Sequence, residues 1–188
     1  TNGSEAGLAI VFAKTTKTPN YKGISAFIVE TDLPGYSIIK VEDKLGIRGS
    51  STTQVALDNV KIPKENQLGP HEKGFRVAMA TLDGGRIGIA AQANGIAEAA
   101  FRYAKYYVKE RVQFGKPLAD LQAVQFKIAD MSTRINASRH LILHSSYLKD
   151  VDRPYSLEGA QAKLFASESA MWITTNAIQL CGGNGFTT

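Results

Sequence analysis

The hydrophobic positions of this chain change period about a third of the way along it. Over residues 7–14, 23–30, 36–41 and 54–60, apolar and β-branched side chains come in short runs, partly alternating and of strand length. Thr18-Pro19-Asn20, Asp32-Leu33-Pro34-Gly35 and Arg48-Gly49-Ser50-Ser51 separate the runs, and all are rich in residues that suit turns. The pattern predicts antiparallel strands. Four strands leave open edges, so pairing partners beyond them are expected.

The segment 62–70 has neither period and holds Pro63 and Pro70, which marks a boundary. Beyond it the spacing is helical. One long helix is predicted over about 75–112. A second starts after Asp120, a candidate N-cap, and runs to about 150, where Asp152-Arg153-Pro154 ends it. Leu121, Val124, Ile128, Met131, Ile135 and Ile142 lay one apolar stripe along it. A third helix spans about 156–180, with Leu157, Leu164, Met171 and Ile178 at every seventh position and many Ala and Ser between. The expected class is α+β: a partial antiparallel β domain over 1–68, then a partial helical bundle domain over 69–188. The first helix is apolar on more than one side around Ile87 to Ala100, so it should pack against more protein, either a further helix or another subunit.

Composition narrows the function classes. With 44% hydrophobic and 21% charged residues, the chain can bury a real core. The net charge of +5 permits an anionic partner, but the basic residues are dispersed, which argues against a nucleic-acid arm. A single cysteine, Cys181, excludes an internal disulfide and a multi-cysteine zinc site. His71 falls in a polar loop, and His140 and His144, four residues apart, bring no Glu or Asp in the pattern of zinc motifs. No leader-like segment or long uncharged apolar run is present, so neither a signal peptide nor a membrane span is expected.

Three segments could carry chemistry. Asp83-Gly84-Gly85-Arg86 falls inside the first helix, where each Gly costs about 1 kcal/mol relative to Ala. It reads either as a local ion pair at a helix crossing or as a polar pair lining a ligand channel, the glycines implying close backbone approach. In Arg111-Val112-Gln113-Phe114-Gly115-Lys116-Pro117-Leu118 the cations could complement a helix C-terminus, or Arg111 could grip phosphate while Phe114 faces a ring. Gln179-Leu180-Cys181-Gly182-Gly183-Asn184-Gly185 suits a helix C-cap, or backbone approach to a nucleotide through a nest of amides.

In order, Lys22-Gly23-Ile24-Ser25-Ala26-Phe27, residues 43–52, residues 81–90, Glu110-Arg111-Val112-Gln113-Phe114-Gly115, Leu121-Gln122 and Gln179-Leu180-Cys181-Gly182-Gly183 resemble the acyl-CoA dehydrogenase family, most of all its short-chain members. The resemblance implies the later part of a middle β domain followed by three of the four main helices of a C-terminal bundle. It also implies a tetramer built as a dimer of dimers, with FAD between subunits. Thr1, Arg111, Gln122, Gln179, Leu180, Cys181, Gly182 and Gly183 match FAD-contacting positions, and Asp83, Gly84, Gly85 and Arg86 match the acyl-CoA channel. The implied reaction is α,β-dehydrogenation of a short-chain acyl-CoA to the enoyl-CoA, with electrons passed to an electron-transfer flavoprotein. The implied compartment is a mitochondrial matrix or a bacterial cytoplasm.

No acidic residue of the chain matches the family's catalytic Glu, which is expected beyond Thr188, so this stretch alone is expected to be inactive. Asn94 and Cys181 depart from the usual larger apolar residues of short-chain relatives. Medium- or branched-chain dehydrogenases and acyl-CoA oxidases are the alternatives within the family. A DNA-associated or purely structural member is the alternative from another class.

Overall fold

The computed structural model describes residues 1–187. It divides into two compact units, Thr1–Ala80 and from Thr81 onward.

In the first unit β1 (Leu8–Lys14) pairs antiparallel with β2 (Ile24–Glu30) in continuous register, from Leu8 opposite Glu30 to Lys14 opposite Ile24. The short β5 (Gln67–Leu68) joins the other edge of β2, giving the order β1-β2-β5. β3 (Tyr36–Val41) and β4 (Thr53–Leu57) form a separate antiparallel pair with an irregularity between Ile38 and Lys40. These four longer strands are those the alternation predicts. Their apolar side chains are only half used: Ser25, Ala26 and Val29 of β2 are buried, while Leu8, Ile10 and Phe12 of β1 stay exposed. Large apolar residues left in water on one face of a strand call for cover from elsewhere.

Ser25 ties this sheet to the chain that follows. Its hydroxyl accepts from the Glu72 amide at 2.8 Å and lies 2.9 Å from Thr15 Oγ1 and 3.4 Å from His71 Nδ1. Helix α1 (Gly74–Glu110) starts two residues after that anchor. A Cβ on Gly74 would come within 2.5 Å of the Ser25 carbonyl carbon, so only glycine lets the helix begin so close to β2. The division between units falls within α1, whose first turns go with the strands.

The second unit holds the rest of α1, with α2 (Gln122–Asp150), α3 (Ser156–Cys181) and the short α4 (Gly183–Phe186). Ala97, Ala104 and Val108 of α1 pack with Met131 and Ile135 of α2 and with Ala170, Ile173, Ala177 and Leu180 of α3. A second cluster joins Ala90, Ile142, Ala162 and Ala166. The α2 stripe is therefore in the core as expected, with Val124 and Ile128 packed along its margin. Glu98 bridges the helices outside the core, accepting from Arg102 at 2.6 Å and from Arg139 of α2 at 2.7 Å.

One expectation needs correction. Asp120 does not cap α2: it ends a 3-10 turn, Leu118–Asp120, and Leu121 holds the N-cap position without a side-chain bond. The stripe of α3 faces outward. Leu157, Leu164, Met171 and Ile178 are 65%, 58%, 71% and 57% exposed, whereas Gly159, Ala162, Ala166, Ser169, Ile173 and Ala177 are buried. The small residues took the inner face because they let helices approach closely, leaving the large ones on the other side. No helix among the described residues is long and apolar enough to cross a membrane.

Candidate functional site

The chain direction of the helices sorts the candidate residues into two groups. α1 ends and α2 begins at one end of the bundle, and α3, antiparallel to α2, ends there too. Arg111, Gln122 and the segment from Gln179 to Gly183 therefore share that end, beside the apolar cluster containing Val108 and Leu180. Asp83 to Arg86 lie near the other end, with the start of α3. Arg86 and Glu110 are separated by roughly 36 Å of helix axis, at about 1.5 Å per residue.

The connection after α1 is a small hairpin rather than a loop. β6 (Val112–Gln113) pairs with β7 (Lys116–Pro117), and Leu118 N bonds the Arg111 carbonyl at 2.9 Å. Phe114 and Gly115 at its tip have φ of 58° and 75°, the left-handed pair that a tight two-residue hairpin demands. A bulky residue in that conformation is uncommon and strained. Here it holds the Phe114 ring out in solvent. Arg111 and Gln122 are exposed at its base.

At the C-terminus of α3, Leu180 and Cys181 turn inward and are buried, and burial pushes the Cys181 thiol above its ordinary range. These two can offer a ligand only backbone. Gln179, Gly182 and Gly183 are exposed. Gly182 has φ 56° and its amide bonds the Gln179 carbonyl at 3.1 Å, the positive-φ helix stop that the Gly-Gly sequence suggests. Built Cβ atoms at Gly182 and Gly183 meet nothing within 4 Å, so an incoming group could reach the backbone there. Among the described residues the side chains of Arg111, Gln122 and Gln179 make no hydrogen bond or ion pair. One cation, two amides and an open glycine backbone on one rim suit a flavin dinucleotide, whose phosphates and ring edge need such donors. Thr1, the remaining candidate, is exposed in the first unit.

In the other group, Arg86 is ion-paired with Asp83, and the Ser156 hydroxyl donates to the same Asp83 oxygen at 3.0 Å. Both charged side chains are partly exposed. Close approach of a neighbour does not explain the glycines. A Cβ at Gly84 would be in ordinary contact with Lys149 Nζ at 3.5 Å, and one at Gly85 would meet open space. The bare backbone beside the Asp83–Arg86 pair is thus available to something other than the described residues.

A third feature escaped the sequence reading. In the first unit Tyr21 stacks on Phe75 with ring centroids 4.7 Å apart, beside a cleft of roughly 450 Å³ that Lys22, Lys73 and Arg76 also line. Two aromatics and three cations, with the Glu72 carboxylate also on the lining, leave a net positive cleft that suits an anionic ligand carrying a flat ring. Residues so far apart in the chain meet through the β2–β5 pairing and the Ser25 anchor, and no local motif announces that.

The family model for the acyl-CoA dehydrogenase middle domain matches residues 1–60, and that for the C-terminal domain matches residues 72–188. The chain is 51% identical over 187 residues to the short-chain specific acyl-CoA dehydrogenase of Clostridium acetobutylicum, covering 100% of this chain and 49% of that protein. It superposes on butyryl-CoA dehydrogenase from Megasphaera elsdenii with a TM-score of 0.96 at 49% identity, covering 99% of this chain and 49% of that one. A chain in the structure described as the electron transferring flavoprotein of Acidaminococcus fermentans gives a TM-score of 0.95 at 50% identity, with 99% and 49% covered. The chain spans about half the length of the relatives it matches. With two successive domain matches, half of all positions identical and a superposition along the whole chain, these residues belong to the acyl-CoA dehydrogenase family.

Proposed function

We propose that this chain is part of a flavoenzyme that removes two hydrogens from the α and β carbons of a short-chain acyl-CoA thioester. The observation that carries this reading is the whole-chain likeness to a butyryl-CoA dehydrogenase, supported by the Asp83–Arg86 pair and the open rim at Arg111, Gln122 and Gln179.

In this reading FAD, when bound, supplies the acceptor for the β hydride. The chain's own residues bind and orient. Arg111 neutralises phosphate, Gln122 and Gln179 donate to the cofactor's polar edges, and the Gly182-Gly183 backbone approaches it without a Cβ in the way. The Asp83–Arg86 pair fixes the thioester's polar arm at the mouth of the acyl channel. The base that takes the α proton lies outside these residues. An α proton is weakly acidic until the thioester carbonyl is polarised, so that base needs a placed and desolvated carboxylate.

The two groups of second-unit residues lie at opposite ends of one copy, roughly 36 Å apart along α1 at about 1.5 Å per residue. In this reading the rim of one copy meets the channel of another, in a homo-oligomer. Electrons then leave to an electron-transfer flavoprotein. The test is to assay the intact enzyme with an artificial electron acceptor against acyl-CoA esters of increasing length. Highest kcat/KM at four carbons, with enoyl-CoA as product, is expected. A maximum at eight or more carbons, or on a branched chain, would overturn the short-chain assignment, and absence of enoyl-CoA from every ester would overturn the reaction.

A further inference from the structure

Asn94, Ser138 and Ser169 are only 7%, 1% and 2% exposed, and each comes from a different helix of the bundle. Asn94 Oδ1 and both serine Oγ atoms lack a hydrogen-bond partner among the described residues. The three fall at one height. On α1 Asn94 lies between Ala90 of one apolar cluster and Ala97 of the other. Ser138 lies likewise between Ile142 and Ile135 on α2, and Ser169 between Ala166 and Ile173 on α3.

A buried serine in a helix ordinarily returns its hydroxyl to a carbonyl of the preceding turn, as Ser145 does to Ile142 at 2.9 Å. Ser138 and Ser169 do not. Each buried polar atom left without a partner costs roughly fivefold to a hundredfold in the folding equilibrium, so three at one level demand a shared partner. The helices themselves already bury these groups, so another segment or subunit has little access to them. The surroundings are small: Ala90, Ala93 and Ala97 flank the level on α1, and Ala166 and Ala170 on α3. All three groups are neutral, which disfavours a cation, since divalent cations take carboxylates.

We propose that Asn94, Ser138 and Ser169 form a buried water site at the centre of the bundle, one water donating to Asn94 Oδ1 and bonded to the two serine hydroxyls. One water typically satisfies two to four such groups. Such a layer also fixes helix register, because a slip of one turn would set these groups against apolar clusters. It would thereby hold the ends of α1 and α3 and the start of α2 at matched heights. The inference does not depend on the reaction proposed above.

The test is a high-resolution crystal structure of the intact enzyme, with native-state hydrogen exchange on S138A, S169A and N94L, each alone and in pairs. Expected are a single ordered water within hydrogen-bond distance of Asn94 Oδ1 and at least one of the serines, and its loss in N94L. Each serine variant alone should lower protection of core amides in α1–α3 by roughly fivefold, and much less once Asn94 is Leu. The serine variants each delete one oxygen, so they keep the test alive if N94L fails to fold. Serine hydroxyls turned back to their own helices, a side chain from elsewhere in the protein filling the site, or strictly additive effects of the variants would each overturn the proposal.

Discussion

Arg111 presents an unpartnered guanidinium on the rim where α1 ends, and its proposed task is to meet the cofactor's phosphates. A charge-assisted hydrogen bond contributes about 1.5–3 kcal/mol. Arg111→Gln should therefore weaken FAD binding about tenfold to a hundredfold, read from flavin content and from titration of the apoprotein. Arg86→Gln should leave flavin content unchanged and raise KM for the acyl-CoA by about tenfold, because a partly exposed pair works at the low end of that range. Glu98 makes a different kind of prediction. Its hydrogen bond from Arg102, assisted by Arg139, holds its carboxyl below the usual range. A depressed carboxyl contributes stability that is present above its unfolded pKa and lost as pH falls through the folded one. Glu98→Gln should then flatten the acid side of a plot of Tm against pH while changing neither flavin content nor KM. At this scale the sequence was readable where chemistry follows from residue type, as with the positive φ of Gly182. It was silent on the Tyr21–Phe75 cleft, because that depends on where the chain folds back.

The strands were legible because alternation and turn residues agree along the first third. Helix α2 was legible because its apolar positions follow one stripe. Helix α3 was legible in its extent, Ser156–Cys181, but not in its inner face, since it has two apolar faces and periodicity alone cannot say which is inside. The face of small residues packs inward in this chain, and Leu157, Leu164, Met171 and Ile178 remain for another partner. The same holds for Leu8, Ile10 and Phe12 on β1. Prepared alone, these 188 residues should bind an apolar dye and aggregate without a defined size, whereas the intact protein should form a homo-oligomer of defined size and leave the dye unbound. Leu164→Glu in the intact protein should lower the assembled fraction in light scattering without altering helical content. An unchanged assembly with unchanged dye binding would mean that this face is not covered. The Asp120 position illustrates a smaller failure, in which a 3-10 turn of three residues shifts the start of α2 past a reasonable N-cap.

At the scale of the whole molecule, the two groups of candidate residues stand at opposite ends of one bundle. The proposed reaction brings them together only between copies. Co-expressing Arg111→Gln with Arg86→Gln should then restore activity above that of either variant alone, because each mixed pair contains one site free of both substitutions. Failure to restore any activity in verified mixed oligomers would place both groups in a single-copy site. The central claim, that this family member hands hydrogen from a short acyl-CoA to a flavin, has a more direct test. An anaerobic visible spectrum of the intact protein, before and after butyryl-CoA is added, should show a flavin band at about 450 nm that bleaches. A flavin band that butyryl-CoA leaves unchanged, or no flavin at all, would contradict it.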